Sequence, residues 1–95
     1  MQLPLEGVRV LDMSQIMAGP YCTMVLADMG ADVVKIEKMN GGDDSRQMGP
    51  FVDGESSCFM QINRNKRSVA LNLKDREVRE IFYDMARGSD IIVEN

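Results

Sequence analysis

The stretch from Val8 to Glu37 constrains the fold more than any other, because it combines two strand-like runs with one apolar helix-like segment. The runs at 8–11 and 33–36 are short and rich in β-branched residues, as strands are. Two such strands bridged by one helix form a βαβ unit, in which the strands are parallel and the crossover is right-handed. We therefore predict an α/β fold, a Rossmann-like open parallel sheet with flanking helices, with ligands at the carboxyl ends of the strands.

The helix between these strands is apolar on nearly all sides, which is typical of a buried helix. Pro20 suits the first helical position, where its missing N–H has no partner, and Gly30 suits a C-terminal stop. Apolar residues recur at helical spacing on one face of this helix, namely Cys22, Val25, Leu26 and Met29. Much of the other side is filled by Tyr21, Met24 and Ala27. Cys22 is therefore expected to be a small core residue rather than half of a disulfide with Cys58.

The second half of the chain predicts another strand–helix–strand unit after a long loop. Residues 38–57 lack periodicity and are rich in Gly, Asp and Ser. Alternation over 69–73 predicts a third strand. Asp75 can cap a last helix, which Gly88 ends. The unbroken apolar run at 91–93 is typical of a parallel strand covered on both faces.

Composition narrows the class of protein. Ninety-five residues leave room for one domain, here 1–95. A net charge of −4 without long basic runs argues against a nucleic-acid partner. Histidine, the commonest general base and metal ligand, is absent, so no metal site is predicted. Without a signal peptide before Val8 or a membrane-length apolar run, the expected protein is cytoplasmic and has no membrane partner.

The predicted ligand edge, 12–20 and 37–46, is the place where a dinucleotide could bind. A nicotinamide-binding fold would use Glu37 on a ribose, but the fingerprint G-x-G-x-x-G is missing from the first turn. We therefore disfavour NAD and expect Glu37 to be a solvated strand end. Ser14 lies in the same turn. Since a nucleophile needs an adjacent base and histidine is absent, turn chemistry is its better interpretation.

Three cations fall within four residues of this acidic chain: Arg64, Lys66 and Arg67. They belong to the NRNKRS segment, which is predicted to be a compact basic turn. Such a cluster suits phosphate or carboxylate groups, and a solvated loop accounts for it equally well. The fold can bring further cations to the same edge, namely Lys38, Arg46 and Lys74. A ligand with several phosphates would account for the whole set.

Five motifs cover nearly all of the chain: LEGVRVLDMS, AGPYCTMVLADMGADVVKIE, the GD..R of Gly42, Asp43 and Arg46, NRNKRSVALNLK, and SDIIVEN. In this order they resemble the N-terminal part of a family III CoA-transferase, the family of formyl-CoA and carnitine-related CoA-transferases. The resemblance implies a parent enzyme that moves coenzyme A between carboxylic acids through an acyl anhydride and an aspartyl-CoA thioester. It places the catalytic aspartate beyond this chain, so that 1–95 is expected to be an N-terminal part truncated after Asn95.

The resemblance also implies part of a coenzyme A site. Met17 and Ala18 would approach the thiol end or the pantetheine. Many members carry glutamine at the position of Met17, and Gln15 is a candidate to supply that hydrogen bond. Lys38 matches a basic position that contacts a phosphate, and Asn95 matches the start of another contacting loop. The segment that lines the adenine pocket and reaches the phosphates matches Leu71, Asn72, Leu73 and Lys74.

The implied partners are acyl-CoA and carboxylic acid substrates and a second copy of the chain in an intertwined homodimer. Two alternatives stay open. A 2-methylacyl-CoA racemase of the same superfamily shares the AGP turn and the LAD-G-A-VV pattern, although the long loop at 41–57 favours a transferase. A non-catalytic nucleotide-binding module is the alternative from another class.

Overall fold

The computed structural model describes residues 2–95, which form six strands, three α-helices and one 3₁₀ helix. The strands are β1 (Arg9–Asp12), β2 (Asp32–Glu37), β3 (Phe51–Val52), β4 (Glu55–Ser56), β5 (Lys66–Ala70) and β6 (Ile91–Val93). The helices are α1 (Ala18–Asp28), the 3₁₀ helix (Asp44–Gln47), α2 (Ser57–Ile62) and α3 (Arg76–Arg87). Four strands form one parallel sheet in the order β5-β2-β1-β6, which confirms the predicted α/β class.

The first βαβ unit is confirmed, with Arg9 opposite Asp32 and Asp12 opposite Lys35. Gly30 follows α1 with a φ of 106°, a conformation that favours glycine, so the predicted helix stop is also confirmed. The prediction that α1 is buried on nearly all sides is wrong, because Tyr21 and Cys22 are exposed. The buried residues of this helix are Gly19, Pro20, Thr23, Met24 and Ala27.

A polar contact helps to set the inward face of α1. Thr23 turns inward, where its hydroxyl donates to Asp12 Oδ2 at 2.7 Å. In this orientation Cys22 is exposed, so the prediction that it belongs to the core is wrong. The helix begins at Ala18, which makes Pro20 its third residue rather than its first. The missing N–H is tolerated there as well, since the first four amides of a helix have no intrahelical partner.

The strands of the second half differ from their predicted positions. β5 begins at Lys66, so half of the expected basic turn is strand, and Leu71 and Leu73 lie beyond the strand end. β6 pairs with β1 at the edge of the sheet. Ile91 and Ile92 are 38% and 51% exposed, so the expectation of a strand covered on both faces is wrong for residues 2–95.

The last helix has the predicted ends. The Asp75 carboxylate accepts from the backbone N–H groups of Glu77 and Val78, and Gly88 is the C-terminal cap. The helix nevertheless contains no buried residue, and Ile81 is 54% exposed. α3 therefore rests only loosely on the sheet in the part of the chain that the structure describes.

The predicted long loop between β2 and β5 contains short elements. The 3₁₀ helix is followed by the antiparallel pair of β3 and β4 and then by α2. Ser56 ties these pieces together, because its hydroxyl donates to the Ser45 carbonyl at 2.8 Å and accepts from the Phe59 N–H at 3.1 Å. The loop is thus anchored rather than structureless.

The hydrophobic core lies between α1 and one face of the sheet. Its buried members are Val10, Ala27, Ala31 and Val33. No helix within residues 2–95 combines the length and apolar character needed to cross a membrane.

Candidate functional site

A cleft of about 350 Å³ opens at the carboxyl ends of β1, β2 and β5. Three separate segments line it: Met13 and Gln15 after β1, residues 36–39 at the end of β2, and residues 71–74 after β5. The sequence-predicted binding residues Lys38 and 71–74 therefore lie around one cavity. Apolar side chains from all three segments form much of its wall.

The 71–74 segment is held in place by backbone bonds. The Leu71 N–H donates to the Glu37 carbonyl at 2.9 Å, which extends the pairing of β5 with β2 by one residue. The Asn72 side chain accepts from the Lys74 N–H at 3.2 Å, and its carbonyl accepts from the Asp75 N–H at 3.0 Å. These bonds turn the chain into α3 and fix the cleft wall.

Three apolar lining residues were not singled out as binding residues by the sequence analysis, although two of them lie within the predicted ligand edge: Met13, Ile36 and Met39. Met13 and Met39 follow β1 and β2, and Ile36 is the last residue but one of β2. The rule that parallel strands gather their carboxyl ends at one edge predicted this edge, but it does not tell which side chains of the edge line a cavity. Hydrophobicity alone assigns such residues to a core.

Two lysines lie at the cleft and also line an adjoining open groove. Lys38 Nζ lies 2.6 Å from Asp44 Oδ1, and both side chains are about half exposed. Lys74 forms no salt bridge with any of residues 2–95. Both ammonium groups can therefore meet an anionic ligand from solvent.

A buried ion pair beneath the cleft joins β2 to the following loop. Lys35 Nζ lies 2.8 Å from Asp43 Oδ2 and donates to the Ser14 carbonyl at 3.0 Å. The two Asp43 oxygens also accept from the Ile16 N–H, at 3.1 and 3.2 Å. Ile16 has a φ of 70°, which is rare for a β-branched residue. Asp43 thus helps to hold a strained turn beside the cleft.

Glu37 is buried, so the expectation of a solvated strand end is wrong. Its carboxylate accepts from Arg46 Nε and Nη2, both at 2.7 Å, from the Asp43 N–H at 2.8 Å and from the Ser68 hydroxyl. Burial raises the pKa of this carboxyl, but the donors on Arg46, Asp43 and Ser68 outweigh burial and lower the pKa to about 2. Both oxygens are engaged, which argues against a role in binding a ribose.

Lys66 points inward, beneath the turn that precedes α1. Its Nζ lies 3.0 Å from Asp12 Oδ2 and donates to the Pro20 carbonyl at 3.1 Å and to Asn63 Oδ1 at 2.8 Å. The side chain is only 2% exposed. Burial lowers the pKa of Lys66, against the opposing effect of the Asp12 charge.

The neighbouring arginines are committed elsewhere on the surface. Arg64 pairs with Asp28 and Arg67 pairs with Asp32, at 2.7 and 2.8 Å. Together with the burial of Lys66, these pairs mean that none of the three predicted cations lines the cleft. The structure does not bring the basic cluster to the ligand edge.

Asp12 is the centre of the turn that follows β1. Its Oδ1 accepts from the Ser14 N–H at 2.9 Å and from the Ser14 hydroxyl, which confirms the turn role predicted for that serine. Burial raises the pKa of Asp12, while hydrogen bonds from Ser14 and Thr23 and the charge of Lys66 lower it below its ordinary value. This carboxylate is a structural acceptor.

The remaining sequence-predicted residues adjoin the cleft without lining it. Met17 and Ala18 are exposed at the start of α1. Asn95 reaches the same turn, where its Oδ1 accepts from the Gln15 N–H and its Nδ2 donates to the Gln15 carbonyl, both at 3.0 Å. Gln15 itself lines the cleft, and its carbonyl also accepts from the Met17 N–H at 3.1 Å, so it links Asn95 and Met17 to the cavity.

This arrangement is suited to binding rather than to proton transfer. Asp12, Glu37 and Asp43 all have a pKa below the ordinary value, since the donors around each one outweigh its burial. A general base near neutral pH needs a higher pKa than these carboxyls have. An apolar cleft with two accessible ammonium groups instead fits a ligand that has a flat apolar part and phosphates.

Comparison with known families gives one clear match: the family model described as CoA-transferase family III matches residues 5–95. Among solved structures, a CaiB/BaiF family protein from Brucella suis superposes with a TM-score of 0.92 at 36% identity. The superposition covers 100% of this chain and 26% of that protein.

Curated relatives match over the same region. The chain is 50% identical over 93 residues to succinyl-CoA:glutarate CoA-transferase of Mus musculus, covering 97% of this chain and 21% of that protein. It is 52% identical over 96 residues to succinyl-CoA:mesaconate CoA-transferase of Haloarcula marismortui, covering 96% of this chain and 24% of that protein. Formyl-CoA:oxalate CoA-transferase of Escherichia coli is 44% identical to this chain over 96 residues, covering 100% of this chain and 23% of that protein. The chain thus spans less than a quarter of these relatives.

Proposed function

The chain belongs to CoA-transferase family III, and we propose that it forms the N-terminal, CoA-binding portion of an enzyme that moves coenzyme A between carboxylic acids. The observation that carries the proposal is the cleft whose apolar walls open toward Lys38 and Lys74. Adenine needs a flat apolar slot, and the phosphates need cations that are not locked in buried pairs. The relatives named as CoA-transferases support the same reaction class.

In the proposed complex, adenine lies against the 71–74 segment and the phosphates bind Lys38 and Lys74. The backbone bonds around Leu71 and Asn72 support this role, because they fix the wall before the ligand arrives. A wall that is ordered in advance reduces the entropy lost on binding.

The pantetheine arm then runs over Gln15 toward Met17 and Ala18 at the start of α1. Asn95 acts on this path by holding both backbone polar groups of Gln15. The buried Asp43 supports the same turn through the Ile16 N–H. These contacts give the reacting end of the ligand a fixed surface.

We propose that an aspartate outside residues 1–95 is the nucleophile. Its carboxylate attacks the thioester carbonyl and expels the CoA thiolate, which leaves a mixed anhydride. The thiolate then attacks the aspartyl carbonyl, so that the first carboxylate leaves and an aspartyl-CoA thioester forms. An acceptor carboxylate reverses the two steps. The commitment of Asp12 and Asp43 to buried lysines supports a nucleophile elsewhere.

We also propose that the enzyme is a cytoplasmic homodimer. Both Cys22 and Cys58 are free thiols, which supports a reducing compartment. Exposed apolar side chains support further protein contacts around α3 and β6: Ile81, Tyr83, Ile91 and Ile92. Sedimentation equilibrium and cell fractionation test these two statements.

Calorimetric titration of coenzyme A into the full-length protein tests the CoA site. K74A should weaken binding about tenfold, since a hydrogen bond to a charged group contributes about 1.5 kcal/mol. R9A is the matched control, because it removes the same charge at the amino end of β1. A wild type that does not bind coenzyme A, or an R9A variant as weak as K74A, would overturn the proposal. Product analysis with acyl-CoA then separates transfer from racemisation.

A further inference from the structure

We propose that Asp44 competes with a phosphate of coenzyme A for Lys38, and so limits the affinity of the cleft. This inference rests on the proposed CoA-binding function. Its starting point is the 2.6 Å contact between Lys38 Nζ and Asp44 Oδ1, in which the side chains are 52% and 56% exposed. Lys38 lines both the cleft and the adjoining groove, whereas Asp44 lines neither.

At this edge of the sheet, the Lys38–Asp44 ion pair is the one in which a ligand phosphate can replace the carboxylate. Lys35 and Asp43 are both 1% exposed, and Glu37 in its pair with Arg46 is 4% exposed. Solvent and ligand cannot replace those partners without opening the structure. An exposed ion pair, by contrast, is weak and is readily replaced by another anion.

The exchange requires only a side-chain movement. Asp44 is the first residue of the 3₁₀ helix, and the backbone is anchored on both sides of it, at Asp43 and at Arg46. Asp43 is held by Lys35 and accepts from the Ser45 N–H at 2.9 Å, and Arg46 is held by Glu37. The backbone can therefore stay in place while the carboxylate rotates away.

The sign of the effect follows from charge. The carboxylate stabilises Lys38 in the free protein, and after displacement it remains close enough to repel a phosphate. Both contributions oppose binding, so its removal should tighten the complex. An exposed pair of this kind corresponds to about a two- to fivefold change in affinity at low ionic strength.

The test is calorimetric titration of coenzyme A into wild-type, D44N and D53N full-length protein. Asp53 lies in the β3–β4 turn with a φ of 51°, a conformation that Asn adopts readily, and it lines neither the cleft nor the groove. D53N therefore removes one negative charge without changing Lys38. D44N should lower Kd about two- to fivefold, D53N should leave it unchanged, and high salt should reduce the difference.

The outcomes separate the two proposals. Wild-type binding with an unchanged or higher Kd in D44N would refute the competition and leave the CoA site intact. An equal gain in D53N would assign the effect to net charge and would also refute it. Absence of coenzyme A binding by the wild type would refute the proposed function and this inference with it. In the K38A background, D44N should lose the part of its effect that comes from competition for Lys38 and should gain less affinity than in the wild type; an equal gain would refute the competition.

Discussion

Glu37 and Arg46 form a bidentate ion pair at the end of β2, with both nitrogen–oxygen distances equal to 2.7 Å. The carboxylate end of this pair is buried, and the same carboxylate also accepts from the Asp43 N–H. It therefore closes the loop that carries Asp44 onto the end of β2, next to Lys38. The stability of this loop therefore depends in part on the charge of the Glu37 carboxyl group.

Acid should remove the contribution of Glu37 over a defined range of pH. Its pKa is about 2 in the folded protein against an ordinary value of 4.5. Because the folded pKa is lowered, the stabilisation is complete above pH 4.5 and is lost as the pH falls toward 2. E37Q should lower the free energy of unfolding at pH 7 by roughly 3 kcal/mol, since it leaves Arg46 without its buried partner.

Urea unfolding at a series of pH values between 7 and 2 measures both effects. E37Q should show a smaller loss of stability than the wild type below pH 4.5. E80Q is the control, since Glu80 is exposed on α3. A wild-type pH dependence in E37Q would contradict the assignment.

Two adjacent residues of β5 should respond very differently to loss of charge. K66M leaves the buried Asp12 without its cation and should cost about 3–5 kcal/mol of unfolding free energy. R67M breaks an exposed pair with Asp32 and should cost less than about 1 kcal/mol. Thermal or chemical unfolding of both variants provides the measurement. Equal losses would mean that the burial of Lys66 has no energetic consequence.

Gly19 should not tolerate a side chain. A Cβ at this position would lie 2.2 Å from Ser14 Cβ and 2.8 Å from Ser14 Oγ, in the buried turn around Asp12. G19A should therefore destabilise the protein by about 1–3 kcal/mol, as overpacking does. G88A is the matched control, because its Cβ would meet nothing closer than 3.7 Å. Comparable unfolding midpoints for the two variants would contradict the close packing of α1 on this turn.

Loss of the Asn95 side chain should release Gln15. N95A removes both hydrogen bonds to the Gln15 backbone and should cost about 1 kcal/mol. N95D keeps the acceptor but places an oxygen against the Gln15 carbonyl, so it should not restore the loss. Amide hydrogen exchange at Gln15 is the direct readout and should become faster in both variants. Unchanged protection of that amide would show that Asn95 does not hold the turn.

Patterns among neighbouring residues predicted much of this fold, but they did not predict the features that depend on residues distant in the chain. The Asp75 cap and the Gly30 stop rest on neighbouring residues and were found. The inward face of α1 was not, because Thr23 meets Asp12 there and hydrophobicity assigns no inward direction to a hydroxyl. The burial of Glu37 depends on Arg46, which lies nine residues further along the chain.

The candidate site likewise contains positions that could be predicted from the sequence and others that depend on distant residues. Lys38 and the 71–74 segment were predicted from the family resemblance, and both line the cleft. The partner of Lys66 is Asp12, 54 residues away, so the sequence left its direction open. The order of strands is another non-local property, which explains why the sequence did not show that β6 pairs with β1 at the edge of the sheet.

The position of β1 between β2 and β6 has a consequence for synthesis on the ribosome. β2 follows closely, but the residues that pair with the other side of β1 begin at Ile91. At a synthesis rate of 5–20 residues per second, the β6-facing edge of β1 stays unpaired for roughly 4–16 s until Ile91 has been added. During this time the nascent chain exposes an unpaired apolar strand edge, which makes β1 a natural client for a chaperone that acts during translation.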